Sequence, residues 1–473
     1  MKKGGGLFSN TVILGASAVL SKAIAFFLLP FYTAHLSPAD FGTADLLVDT
    51  AILLLPIVSL NAPEAVFRFL AGREQEGKAV VTVSAVLLST GMTLAFLLLP
   101  LVALFPLLRA FAPYLACYVV ASISRSYLAH ILRGEGRYTA YAVQQVSCAV
   151  LTALLQLLLL GRYSLGAGGY LLGVIAADAT VALFLLFFVR PWQYFSFSLI
   201  TRQRLRVMLG YALPLIPTAV LWWVTSISDR YIILHYCGSD VTGLYAAAAR
   251  IPTALTFAVG VFMEAWQYAA IGVGDARRGE FFSRVYGMLA SLCVLGAAAI
   301  IALAFPLVSL IYAPEYERAV VLVPLLVVSS LFSALASFLG SVYAVKLKSV
   351  ASLLTALCSA ALNLLLNFYL IPRAGAIGAA LATLFSYLVL FAVRLWHTRR
   401  YLYFSYRIPE CAVSLSFLLV SSYAVIKGAY DLAILPAFLS PLPFWREIGE
   451  LLGILFKKLS FFRKKHQNDT PPY

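Results

Sequence analysis

The chain has 473 residues, of which 62% are hydrophobic and only 12% charged, and its mean hydropathy is +0.91. Apolar runs long enough to cross a bilayer recur from end to end, which excludes a soluble protein and predicts an all-α polytopic membrane protein. The net charge of +15 does not point to nucleic acid, because the basic residues lie in the loops between runs rather than on one face.

The first run covers about Leu7 to Leu36, longer than one crossing needs, with Pro30 as the expected bend. It is too long for a signal-peptide core and is read as a retained helix. The second covers Gly42 to Phe69 and contains Pro56 and Pro63, and the next four cover Ala79–Leu104, Ala112–Leu132, Tyr138–Leu160 and Gly169–Val189. A basic amphipathic stretch from Trp192 to Arg206 then links two halves. The second half has runs at Met208–His235, Gly243–Ala270, Phe282–Tyr312, Ala319–Val345, Val350–Ile371 and Ala376–Trp396. A further run covers Glu410 to Ile426, and the last, Ala429 to Pro443, is short and interrupted by prolines.

The expected organisation is therefore a six-helix lobe at 1–190, a cytoplasmic linker at 191–207, a second lobe at 208–397, and a C-terminal helical hairpin with a basic tail at 398–473. That makes 12–14 transmembrane helices. From Trp445 onward the tail has the character of an interfacial amphipathic helix. An internal repeat supports the two lobes. LSPADFGTAD at 36–45 and YCGSDVTGLYA at 236–246 each place an Asp-bearing turn before a glycine that opens the next run. Seven residues past Gly42 and Gly243 stand Asp49 and Arg250, ionisable groups of opposite sign at equivalent positions.

With the N-terminus inside, 26 of the 35 Lys and Arg lie on the inner face; Arg109, Arg162, Arg318, Arg373 and Lys427 lie outside, and Lys22, Arg125, Arg230 and Arg250 lie within runs. This asymmetry is the positive-inside pattern, and it predicts a cytoplasmic N-terminus with anionic lipids, not nucleic acid, as the basic residues' partners. The six cysteines stand singly without metal-ligand spacing, so they read as small core residues, and no metal or cofactor is expected.

From Leu362 to Tyr387 the chain reads LNLLLNFYLIPRAGAIGAALATLFSY. Its Asn, Ile-Pro, Gly, Gly-Ala-Ala and Thr pattern resembles the multidrug/oligosaccharidyl-lipid/polysaccharide exporter superfamily, in particular its polysaccharide-transporter branch of Wzx-like flippases. FFLLPFYTAHLSPADFGTADL and SDRYIILHYCGSDVTGLYAAAARI are similar to the same branch. The resemblance implies two six-helix lobes around a cavity, moving a polyprenyl-pyrophosphate-linked oligosaccharide across the bacterial plasma membrane by alternating access. It implies a role in capsule, exopolysaccharide or teichoic-type synthesis, beside a polymerase and glycosyltransferases, for what is read as a monomer. A lipid II flippase and a cation-coupled drug exporter of the same fold are the alternatives. A membrane glycosyltransferase or polymerase would need carboxylates or a metal presented on a substantial outer segment, and the outer connections are short.

Ionisable groups inside a bilayer are functional candidates because each is costly unless paired or wetted. Arg250, two turns into its run and followed by Pro252, suits a phosphate. Lys22 stands ~20 Å along the first run, where snorkelling is hard. Arg125 suits either lining the inner mouth or snorkelling to it, and Arg230 follows Asp229, as in a local charge pair. These four are the candidate cavity cations. Asp49, Glu264 and Asp178 are candidate coupling or cavity carboxylates. Glu264 follows Arg250 by fourteen residues on nearly the same face, and Glu64 precedes Arg68 by four, as in a helical ion pair. Tyr32, Trp222, Trp223, Trp266 and Tyr268 suit sugar stacking, interfacial belts or packing.

Overall fold

The structure, a computed structural model, describes residues 4–71, 77–102, 106–272, 275–346, 348–450 and 453. Among them the secondary structure is helical throughout, with two compact units at 1–246 and 247–473.

The first unit holds α1 (Gly4–Phe27), α2 (Leu29–His35), α3 (Pro38–Val58), α4 (Ala62–Leu70), α5 (Gly77–Val102), α6 (Pro106–Gly134), α7 (Tyr138–Gly161), α8 (Gly166–Val189), α9 (Arg202–Ala212), α10 (Leu215–Cys237) and most of α11 (Ser239–Arg250). The second holds α12 (Thr253–Gly272), α13 (Asp275–Ala302), α14 (Ala304–Ile311), α15 (Val323–Val345), α16 (Ser349–Thr398), α17 (Ile408–Ile426) and α18 (Tyr430–Leu439). Among the described residues, eleven helices are long and apolar enough to cross a membrane, or twelve if the bent pair Ser239–Arg250 and Thr253–Met263 is one span. The chain is thus a multi-pass membrane protein.

Proline and glycine place the breaks. The first run divides at Leu28, just before Pro30, whose ring cannot fit against the preceding turn. The second run divides as well: Leu60 and Asn61 take left-handed φ of 47° and 55°, and Pro63 opens α4 in its first turn. At 50 residues and about 75 Å, α16 is more than two bilayer crossings long, and it breaks at Gly375 (φ 56°, ψ −137°) after Pro372. This is the Ile-Pro…Gly turn read from the sequence. A Cβ on Gly378 would lie 2.4 Å from the Leu370 carbonyl oxygen, so the chain is tightly folded there.

The short last run has a definite outcome. After α18, residues 445–450 are again helical, and Glu447 Oε1 lies 2.7 Å from Nη2 of Arg407, the residue that precedes α17. Glu450 Oε2 receives Arg284 Nε at 3.1 Å. The chain therefore returns to the level where α17 began, completing the hairpin through a broken helix rather than one continuous span. The amphipathic-helix reading from Trp445 onward thus falls in part on these helical residues; beyond 450 it lies outside the described residues but for 453.

Both units bury many aliphatic side chains, and the second adds an aromatic cluster. In the first unit, aliphatic side chains such as Val66, Val83, Ile123, Ile131 and Leu132 interlock α4, α5 and α6. In the second, Trp266 stacks on Phe338 at 4.8 Å, and Phe282, Tyr286 and Phe404 close around them. Lipid is as apolar as these side chains, so close packing rather than water exclusion holds such helices together.

Candidate functional site

α3 is set by local chemistry. Ser37 caps it by accepting the Asp40 backbone N–H at 3.1 Å, and Pro38 supplies the first turn. Spacings of four, seven or eight, and eleven or twelve residues then place Pro38, Gly42, Asp45, Leu46, Asp49 and Thr50 along one face.

That face meets α10 and α11. Nη1 of Arg230 donates to Asp45 and Asp49, each at 2.5 Å, with side chains only 15%, 3% and 11% exposed. Tyr231 contacts the Thr50 hydroxyl and donates to the Leu46 carbonyl at 3.3 Å, while the Trp223 indole donates to the Asp49 carbonyl at 2.7 Å. Where α3 crosses α11, Gly42 and Gly243 touch backbone to backbone. A Cβ on Gly243 would fall 1.8 Å from the Pro38 carbonyl oxygen, and one on Gly42 2.6 Å from the Gly243 nitrogen. The two glycines that hold equivalent places in the sequence repeat therefore pack against each other.

The local pairing of Arg230 with Asp229 is corrected by this geometry. Adjacent residues on a helix point apart, so the guanidinium turns to α3. Asp229 instead accepts the Arg230 backbone N–H at 2.9 Å and the Tyr245 hydroxyl at 2.5 Å. Asp45 went unremarked in the sequence, although its spacing of four from Asp49 is a legible signal.

A second charged cluster lies between α6, α7 and α8. Arg125 Nε donates to Asp178 at 2.6 Å, with Nη1 3.4 Å from the Gln144 amide oxygen. Ser122 also donates to Asp178, as does the Cys148 thiol at 3.1 Å. Arg125 therefore neither snorkels nor stands alone, and Asp178, unpaired in sequence, has three donors.

The remaining candidates are scattered. Arg250 is half-buried at the end of α11, beside the 44° bend into α12, within electrostatic reach of Tyr312. Lys22 is exposed on α1. The side chains of Glu264, Trp222 and Tyr268 lie outside the described residues. Glu64 turns to His130, 3.4 Å away, rather than to Arg68. Tyr32 donates to Gln156 at 2.5 Å and Trp266 to Ser341 at 3.0 Å, so both are buried packing groups. Arg394, inside the run read at Ala376–Trp396, is buried within α16 and donates to the Ala336 carbonyl at 2.8 Å and the Thr355 hydroxyl at 3.3 Å. The linker is anchored too: the Tyr194 hydroxyl donates to Glu135 at 2.6 Å, and that carboxylate pushes the phenol up to about 12. No disulfide forms among the cysteines; Cys148 and Cys293 are buried, whereas Cys117 and Cys358 are exposed.

What the paired clusters can do is limited by charge. Asp45 and Asp49 both accept from the Arg230 guanidinium, so its charge is already engaged by carboxylates in this structure. The Arg125 pair is neutral.

This helical fold is shared with several solved membrane-transporter structures. The lipid II flippase MurJ, in an inward closed conformation, superposes with a TM-score of 0.66 at 13% identity, covering 96% of this chain and 99% of that one. An inward-facing multidrug resistance MATE family transporter gives 0.61 at 14% identity over 80% and 95% of the two chains. The Vibrio cholerae MATE transporter VcmN gives 0.55 at 16% identity over 84% and 96%. No curated protein matches in sequence. The polysaccharide biosynthesis protein family matches residues 7–266, and the chain belongs to that family.

Proposed function

We propose that the protein is a flippase that carries a polyprenyl-pyrophosphate-linked oligosaccharide from the inner to the outer leaflet of the bacterial plasma membrane by alternating access. The observation that carries this reading is the coincidence of a polysaccharide-biosynthesis family with a fold shared with a lipid-linked precursor flippase. The N-terminus is cytoplasmic, residues 1–190 and 208–397 are the two moving lobes, and 191–207 is the cytoplasmic connection between them. Membrane lipids surround it, and a polymerase and glycosyltransferases supply and consume its cargo without the protein itself transferring sugars. We assign the pyrophosphate to Arg250 and Lys22. Arg125 and Arg230, which hold carboxylates in this structure, are the other two candidate cations of the path.

The test is flipping of a fluorescent polyprenyl-pyrophosphate oligosaccharide in proteoliposomes, read by the fraction of label protected from an impermeant quencher. Wild-type protein flips it, and Arg250→Ala and Lys22→Ala are expected to lose most of the rate, because each removes a charge-assisted partner of the phosphate. Wild-type rates in both variants overturn the residue assignment. Movement of lipid II but not of the oligosaccharide carrier, or of cationic drugs alone, overturns the substrate class.

A further inference from the structure

We propose that the basic end of the α15–α16 pair is a site for the phosphate of an anionic membrane phospholipid, with Arg394 at its base. The ligand is a lipid that stays in the bilayer, not the transported cargo, and the site lies wholly within the second unit.

Arg394 is a charge without a counter-charge. It stands five residues before Arg399, the residue that ends α16, and so lies ~7 Å inside the helix end. The side chain turns inward. It is 9% exposed, with Nη1 donating to the Ala336 carbonyl of α15 at 2.8 Å and Nε to the Thr355 hydroxyl, on the other arm of α16, at 3.3 Å. Gly340 makes the room, because a Cβ there would lie 2.8 Å from Nη1. Both acceptors are neutral. The sequence has no Asp or Glu between Glu317 and Glu410, so neither α15 nor α16 can supply a carboxylate, and none pairs with Arg394 among the described residues. Nη2 has no hydrogen-bond partner among those residues either. A guanidinium carries five N–H donors, and a buried one is ordinarily paired, so this cavity is short of an anion that offers several acceptor oxygens.

The surroundings select the anion. Lys348, exposed just before α16, holds Nζ 5.9 Å from the centre of the Tyr401 ring, and Arg400 lies over Trp396 at 4.3 Å, so further cations rim the same end. A bond of 2.9 Å between the Tyr343 hydroxyl and His397 Nδ1 ties α15 to the end of α16 beside them. The flank of this polar end is apolar: Leu353, Leu354 and Leu357 on one arm of α16 and Val393 and Trp396 on the other are exposed, each within a turn of Thr355 or Arg394. Residues 350–398 are apolar enough to cross a membrane, and there such side chains face acyl chains. A phospholipid meets both demands at once. Its phosphodiester oxygens accept the free edge of the guanidinium and the Lys348 ammonium, and its chains cover the leucines. Free phosphate would answer the charge and leave the apolar flank bare. The depth agrees, since a few ångströms inside a helix end is where headgroups give way to hydrocarbon.

The bonds to Ala336 and Thr355 staple α15 to α16 whether or not a lipid is bound, so the experiment reads lipid as well as stability. Full-length protein in detergent is titrated with phosphatidylglycerol, phosphatidylcholine or inorganic phosphate, with bound lipid read by native mass spectrometry and melting by thermal shift. Wild-type protein is expected to retain phosphatidylglycerol about tenfold more strongly than phosphatidylcholine, and to be stabilised by it but not by inorganic phosphate. Arg394→Gln keeps an amide donor for the staple but no charge, and is expected to lose the preference. Arg373→Gln, at the opposite turn of α16, is expected to keep it. Lys348→Gln, an exposed change that folding tolerates, is expected to weaken the preference about threefold. Equal retention of the two lipids by wild type, stabilisation by inorganic phosphate alone, or an undiminished preference in folded Arg394→Gln each overturns the proposal. If Arg394→Gln is not recovered folded, Arg394→Lys replaces it, and an undiminished preference in both Arg394→Lys and Lys348→Gln overturns the proposal. Lipid retention is measured without transport, so it stands or falls separately from oligosaccharide flipping.

Discussion

Arg125 and Arg230 are both arginines on apolar helices with little solvent, each held by aspartate, and they illustrate different uses of one interaction. Arg125 and Asp178 sit on α6 and α8, among helices of a single sequence repeat, and Ser122, Cys148 and Gln144 complete the site. Charge is balanced, and the donors around Asp178 come from α6 and α7. Arg230 reaches from the second repeat to the first, bonds to two carboxylates, and has a backbone crossing of glycines beside it. Each pair fixes which helices pack together, the first within one repeat and the second between corresponding helices of the two repeats.

Breaking the balanced pair has the largest effect. Asp178→Leu strands the Arg125 charge in a buried site, at a cost of about 3–5 kcal/mol, and is expected to leave little folded protein in the membrane, measured by size-exclusion after heating. Removing both charges, as Arg125→Met with Asp178→Leu, is expected to restore folding, because well-packed apolar replacements of a buried pair are often neutral. Oligosaccharide flipping by that double variant near the wild-type rate confirms a structural role, and loss of flipping in a stable double variant reassigns Arg125 to the substrate.

Arg230→Met sharpens the comparison from the other side. Asp45 and Asp49 can be hydrated when α3 and α10 separate, so the expected loss of melting temperature is smaller than for Asp178→Leu, while accessibility of a cysteine at Leu46 to a water-soluble reagent rises. If Arg230→Met melts as low as Asp178→Leu with no change in accessibility, the two sites are alike. The smallest effect belongs to Glu64→Ala. Its partner His130 is reached across a partly exposed contact, worth at most ~1 kcal/mol, and both thermal stability and flipping are expected to stay near wild type.

Much of this was legible in the chain. The apolar runs, the bend at Pro30, the Pro372–Gly375 turn and the doubtful last crossing all follow from local composition, because backbone groups in lipid must pair within their own segment. The repeat in the sequence even singled out Gly42 and Gly243, though not that they touch. Charge partners were less legible. Proximity in sequence suggested Asp229 for Arg230 and Arg68 for Glu64, and both gave way to groups on other helices.

What the sequence determined by itself is therefore whatever depends on neighbours within a few turns: the membrane class, the helix positions, and the caps and breaks. Tertiary structure alone decided which carboxylate neutralises which arginine, since Arg230 lies 185 and 181 residues from Asp45 and Asp49 and Arg125 lies 53 from Asp178. It also decided that the proline-broken last run is carried back to the start of α17 by Glu447 and Arg407. A long side chain can reach partners on any helix packed beside it, and burial makes pairing obligatory without naming the partner; only the packing of the helices names it.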